Sequence, residues 1–185
     1  MDGQLGLYLG LTSDRISGVG VFQAGIATHY VPSDRLPALE ARLAELGVAQ
    51  PAVIDSAICE FAADAADLQQ SSYDLVGPKR KAIDSIFGRK TAEEIIAGLR
   101  ELEEGKVNAK KAFAVGGDES SVDVEALQAW ARKTRETIEM RSPTSVKLTM
   151  LAVREGASLN IDEAFQMDLR IATACCVRLI PCMLL

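Results

Sequence analysis

Arg141-Ser142-Pro143-Thr144-Ser145-Val146-Lys147-Leu148-Thr149 closes one helix and opens the next. A proline ring drives the residue before it out of helical geometry, so a helix arriving from upstream has to stop before Ser142. The ring's fixed φ and missing N–H suit the first turn of a new helix, with Ser142 placed as its N-cap. Upstream, Val124, Leu127, Trp130, Ala131, Thr134 and Ile138 recur at three- and four-residue steps, which predicts one long helix with a buried stripe. Downstream, the spacing sends Val146, Met150, Leu151 and Val153 inward on a helix that ends at Gly156. Asn160-Ile161-Asp162-Glu163 is a further cap signal, and it leads into Ala164, Phe165, Met167, Leu169 and Ile171.

The same reading carries to the amino terminus. Leu5, Leu7, Tyr8, Leu9 and Leu11 predict a short apolar helix interrupted by Thr12-Ser13-Asp14, and a second short helix runs from Ile16-Ser17-Gly18 to Ala24-Gly25. Residues 27–31 read as extended. Ser33 is expected to cap a helix carrying Leu36, Leu39, Leu43 and Leu46, one face of it buried, with Gly47 at its end. Pro51 to about Leu68 reads as helix with Val53, Ile54, Ile58 and Phe61 inward, and Pro78 opens another through Ile83, Ile86 and Phe87 to Gly88. Thr91-Ala92-Glu93-Glu94 fits a capping box ahead of Ile95, Ile96, Leu99 and Leu102. The Gly-, Lys- and Ser-bearing stretch from Glu103 to Asp123 reads as a polar linker and a mobile excursion. The fold expected is mainly α, with no internal repeat.

The 185 residues are 48% hydrophobic and carry a formal charge of -6, which suits one globular domain or a large piece of one. The first 70 residues hold 3 basic and 9 acidic side chains, so all the net acidity sits at the front. Neither nucleic acid phosphates nor an anionic membrane attracts such a surface, and the apolar stretches fall well short of the ~20 residues that span a bilayer. No nucleic acid and no membrane are expected as partners. The start at Met1 has neither the apolar core of a secretory signal nor the Arg-rich, acid-poor face of a transit peptide.

Candidate chemistry is sparse. Of Cys59, Cys175, Cys176 and Cys182, three crowd into the last eleven residues, which is no disulfide framework, and reduced thiols are expected. Cys175, Cys176 and Cys182 lack the CxxC spacing and the nearby histidine that a zinc set needs, so no metal site is expected. His29 is the only histidine and the natural base for any hydrolytic chemistry confined to this chain, but no Gly-x-Ser-x-Gly serine accompanies it, and it reads as structural. Trp130, in step with Leu127 and Ile138, reads as core. Glu101, Glu103 and Glu104 read as an exposed helix face.

Two blocks carry a family resemblance. Asp2-Gly3-Gln4-Leu5-Gly6-Leu7-Tyr8-Leu9-Gly10-Leu11-Thr12, followed by Ala24-Gly25-Ile26-Ala27-Thr28-His29-Tyr30-Val31, resembles the stretch after the active-site loops of 3-hydroxyisobutyryl-CoA hydrolases, and taken alone reads as crotonase superfamily. The Ser142 to Thr149 block, then Glu163-Ala164-Phe165-Gln166-Met167-Asp168-Leu169-Arg170, resembles the late helical segment of that hydrolase branch. The resemblance runs from residue 2 to about 176 and fades around 48–75 and 103–124. It implies the carboxyl-terminal helical part of a crotonase-type α/β fold whose sheet core is missing, with 177–185 an atypical apolar tail. An in-helix start and an unrelated end are read as a truncated gene model or an alternative transcript.

The resemblance implies hydrolysis of 3-hydroxyisobutyryl-CoA in valine catabolism, in the mitochondrial matrix. A glutamate, an aspartate and the oxyanion-holding N–H groups of two glycine-containing loops do that work in the family, all upstream of the matched region. No catalytic, cofactor-binding or metal-binding residue is therefore assigned, and the chain alone is expected inactive. Coenzyme A enters only as part of an acyl-CoA substrate. Lys79-Arg80-Lys81 and Lys110-Lys111 offer charges for its phosphates, or are simply solvated. Lys111-Ala112-Phe113-Ala114-Val115-Gly116-Gly117-Asp118 imitates an oxyanion loop of crotonase relatives but lies about ninety residues too late, where Gly-Gly-Asp reads as a turn. The alternatives are an enoyl-CoA hydratase or isomerase fragment, and a non-catalytic helical module whose apolar faces bind a partner or a second copy.

Overall fold

The computed structural model describes residues 3–64, 68 and 77–183. Among the described residues the regular structure is helical: α1 (Leu5–Thr12), α2 (Val19–Gln23), α3 (Leu36–Ala44), α4 (Pro51–Cys59), α5 (Pro78–Phe87), α6 (Ala92–Glu103), α7 (Ala109–Phe113), α8 (Val124–Glu139), α9 (Pro143–Gly156) and α10 (Ile161–Met183), with a 3-10 turn at Glu119–Ser121. An isolated antiparallel bridge joins Val115 to Asp118. The mainly α expectation holds.

α1 is apolar on nearly every side because it is surrounded: α5, α8 and α9 all pack on it. Leu5, Leu7, Tyr8 and Leu11 are buried there, beside Ala82, Ile83, Ile86 and Phe87 of α5. The Phe87 ring meets Tyr8 edge-on, with centroids 5.3 Å apart. α6 lies along α8, burying Ile95, Leu99 and Leu102 against Leu127, Ala131 and Ile138. Full burial of each leucine or isoleucine side chain among them contributes about 1.5–3 kcal/mol. The start of α6 is the expected capping box: Thr91 Oγ1 accepts from the Glu94 N–H, and Glu94 Oε2 accepts from the Thr91 N–H. α10 opens on a reciprocal pair of the same kind between Asn160 and Glu163.

Five expectations need correction. Residues 103–123 are not a loose linker, because α7 and the 3-10 turn seat Ala109, Phe113 and Val122 in the core. Asn108 caps α7 through the Lys111 N–H, and Asp118 caps the 3-10 turn through that of Ser120. α3 begins after Arg35 without a side-chain cap from Ser33, and only Leu39 of its apolar residues is buried. α4 ends at Cys59 and buries only Ala57, with Val53, Ile54, Ile58 and Phe61 half-buried; the expected continuation toward Leu68 falls partly outside the described residues. On α9, Val146 and Met150 are buried and Val153 lies partly exposed beside Gly10 of α1, while Leu151 is exposed. Ser142 does precede α9, with Pro143 in its first turn, but its side chain makes no capping bond. The side chains expected to form the apolar tail from Val177, Cys182 among them, lie outside the described ones.

α10 packs on α9 and leaves Ile161, Phe165 and Leu169 exposed at 71%, 67% and 69%. Their four-residue spacing puts them on one face of the helix. No helix among the described residues is long and apolar enough to cross a membrane.

Candidate functional site

Among the described residues, the reactive side chains of His29, Asp55 and Cys59 gather at α4. Asp55 and Cys59 are four residues apart on that helix and so share a face. His29 reaches them from the irregular segment between α2 and α3. That segment is fastened to the end of α4 by a bond from the Ala63 N–H to the Tyr30 carbonyl at 2.7 Å and one from the Arg35 guanidinium to the Ala62 carbonyl at 3.2 Å. The Arg42–Glu60 ion pair adds a third tie between α3 and α4.

The imidazole Nε2 lies 3.4 Å from Asp55 Oδ1 and 3.4 Å from Cys59 Sγ, and Nδ1 lies 3.1 Å from Thr28 Oγ1. The His29 side chain is 23% exposed and that of Asp55 64%, so the group faces solvent. Carboxylate and thiol converge on the same ring nitrogen. A relay would place them on opposite nitrogens, one orienting the ring while the other loses its proton. The geometry therefore suits ligation or ion pairing and not nucleophilic catalysis.

A second concavity, a cleft of about 300 Å³, lies beside α1 and α8 among Tyr8, Thr12, Asp14, Lys79, Trp130 and Lys133. Its polar groups mostly serve one another. The Tyr8 hydroxyl donates to Asp14 Oδ2 at 2.7 Å, the Trp130 indole donates to the Tyr8 oxygen at 3.3 Å, and the Thr12 hydroxyl accepts from the Asp14 N–H. Trp130 is half-buried at this rim, with the Lys79 ammonium 6.0 Å from its ring centroid.

The remaining candidate residues are not brought together. Arg80 pairs with Asp84, Lys81 donates to the Ala114 carbonyl, and Lys110 and Lys111 stand exposed on α7, so the basic residues form no single phosphate cradle. Gly116 and Gly117 take positive φ in a turn closed by the Asp118 N–H on the Val115 carbonyl. Bonds from the Ser120 hydroxyl and N–H hold the Asp118 carboxyl below its ordinary range. The three glutamates are not a bare face: Glu101 accepts from Arg89 at 2.9 Å, Glu103 from Arg135 at 2.8 Å, and Glu104 pairs with Lys106. The Arg135 bond, more than its charge, holds Glu103 below the usual carboxylate range. Cys175 and Cys176 are exposed, free thiols on α10. Asp55 is signalled in the sequence only by its four-residue spacing from Cys59, and nothing in the sequence places His29 beside the two.

Residues 1–179 match the enoyl-CoA hydratase/isomerase family, and the chain belongs to that family. It is 39% identical over 179 residues to the small ribosomal subunit protein mS47 of Neurospora crassa, covering 93% of this chain and 32% of that protein. It is 31% identical to mS47 of Arabidopsis thaliana over 172 residues, 93% of this chain and 36% of the relative. Identity to the mitochondrial 3-hydroxyisobutyryl-CoA hydrolase of Danio rerio is 31% over 176 residues, 95% of this chain and 39% of the hydrolase. The chain thus spans 32–39% of the length of these relatives. The superfamily expected from the front block is established, with relatives on both a ribosomal and an enzymatic branch.

Proposed function

We propose that this chain belongs to a crotonase-family protein that serves in mitochondria as a non-catalytic component of the small ribosomal subunit. The observation that carries this reading is the 39% identity to mS47 of Neurospora crassa, above the 31% shared with both mS47 of Arabidopsis thaliana and the Danio rerio hydrolase. Two features of the chain support it. Its one imidazole is engaged with Asp55 and Cys59 in a geometry unsuited to a relay, and α10 presents the apolar row Ile161, Phe165 and Leu169. With a net charge of -6, the chain's contact in a ribosome is with neighbouring proteins and not with RNA phosphates. Its helices are read as the carboxyl-terminal part of a crotonase-type α/β fold whose sheet is contributed by other parts of the protein.

A second reading is a 3-hydroxyisobutyryl-CoA hydrolase of valine catabolism, acting in the matrix. It is favoured by the Danio rerio relative and by the Ser142 to Thr149 block. In that reading coenzyme A is part of the substrate, no separate cofactor is needed, and the acid-base pair lies outside this chain. The oxyanion donors and the acid-base group are each worth at least about 10²-fold in rate, so the protein either turns over visibly or sits at background. Loss of thioester absorbance from 3-hydroxyisobutyryl-CoA, followed with the protein that carries this chain, tests the choice. Background hydrolysis is expected, and saturable turnover would establish the second reading.

A further inference from the structure

The His29 ring raises a question of protons. Its Nδ1 stands 3.1 Å from the Thr28 hydroxyl oxygen, a ready acceptor for a ring N–H. With the proton on Nδ1, the Nε2 lone pair points toward Asp55 Oδ1 and Cys59 Sγ, both acceptors when deprotonated, each 3.4 Å away. Three such atoms within 4.8 Å of one another are held together by a shared proton or by a metal cation among them.

The geometry points to a binding site for a zinc-class metal dication formed by His29 Nε2, Asp55 Oδ1 and Cys59 Sγ. Zinc bonds of about 2.3 Å to sulfur and 2.0–2.2 Å to nitrogen or oxygen, set at tetrahedral angles, hold the donors roughly 3.3–3.6 Å apart. Both observed separations from Nε2, 3.4 Å, match such an edge. The donors are mixed nitrogen, oxygen and sulfur, which selects a borderline-soft ion over calcium or magnesium. Thr28 supplies the outer partner that metal-bound imidazoles use to fix the tautomer. Solvent reaches the group, so water completes the fourth position. The thiol proton of Cys59 leaves to buffer as the sulfur–metal bond forms, and no electrons are transferred. The bound ion would pin the segment carrying His29 to α4. This assignment does not depend on whether the whole protein is ribosomal or enzymatic.

Cobalt(II), the spectroscopic stand-in for zinc, tests the site in the full chain with Cys175, Cys176 and Cys182 replaced by serine, which leaves Cys59 the only thiol. A thiolate-to-cobalt charge-transfer band saturating at one equivalent and reversed by zinc is expected. Cys59→Ser should abolish the band, and His29→Gln and Asp55→Asn should each weaken binding at least tenfold, with helical circular dichroism unchanged. No band at saturating cobalt, or a band that His29→Gln and Asp55→Asn both leave intact, would overturn the assignment. The first result would leave a proton as the charge between Nε2 and Asp55, and the second a lone surface thiolate.

Discussion

The Trp130 indole N–H donates to the Tyr8 hydroxyl at 3.3 Å, joining α8 to α1 across 122 residues of sequence. The two rings lie 5.9 Å apart at the rim of a polar cleft, and the same hydroxyl donates to Asp14. Tyr8→Phe keeps the ring against Phe87 and deletes both bonds. A loss of about 1–3 kcal/mol in urea unfolding is expected, together with a shift in Trp130 fluorescence. A change below ~0.5 kcal/mol, the scale of an ordinary surface substitution, would mean that the network does not hold the helices together.

Phe113 tests whether residues 103–123 are packed. It is 4% exposed at the end of α7, so Phe113→Ala should cost about 3–5 kcal/mol. Limited proteolysis should leave this stretch intact in the parent chain and cut it in the variant. Rapid cutting of the parent there would restore the linker reading.

Glu103 has a pH signature. Its carboxyl lies below the ordinary range chiefly because Arg135 donates to both of its oxygens, at 2.8 and 3.4 Å, with the guanidinium charge adding to this. A folded-state pKa below the unfolded value stabilises fully above the unfolded value and loses that contribution as pH falls through the folded one. Glu93, bonded by Lys147, and Asp118, bonded by Ser120, act in the same direction. The melting temperature should therefore fall on acidification below about pH 4.3, and less steeply in Glu103→Gln. Equal slopes would show that the pair is too solvated to matter.

The apolar row on α10 is predicted to contribute to docking and not to the stability of the chain. Phe165→Glu should change stability by no more than about 0.5 kcal/mol, since the side chain is already exposed. The same variant should lose the tendency to self-associate in light scattering at high concentration. A large drop in melting temperature would place Phe165 in the core instead.

What could be read beforehand was local. The Thr91–Glu94 capping box, the proline-opened α5 and α9, the Asn160 cap and the periodicity of α8 depend on residues within one or two turns, and each appears where expected. The seating of Ala109 and Phe113 was hidden because their single four-residue step on the five-residue α7 is too short to show a helical repeat, and α7 is held by distant α5. Leu151 reads as core but sits about 100° around the helix from the buried Met150, and is exposed. The site was half legible. The Asp55–Cys59 face is helix arithmetic, whereas the approach of His29 depends on tertiary ties such as Ala63 to Tyr30.

The most direct test is sedimentation. The whole protein that carries this chain, tagged and expressed in mitochondria, is run on a sucrose gradient after ribosomal subunits are separated by magnesium depletion, and 3-hydroxyisobutyryl-CoA hydrolysis is assayed in every fraction. Migration with the small subunit, reduced by Phe165→Glu, and no hydrolysis above background in those fractions, is the predicted result. Protein confined to the top of the gradient, together with thioester hydrolysis that follows it, would contradict the ribosomal reading.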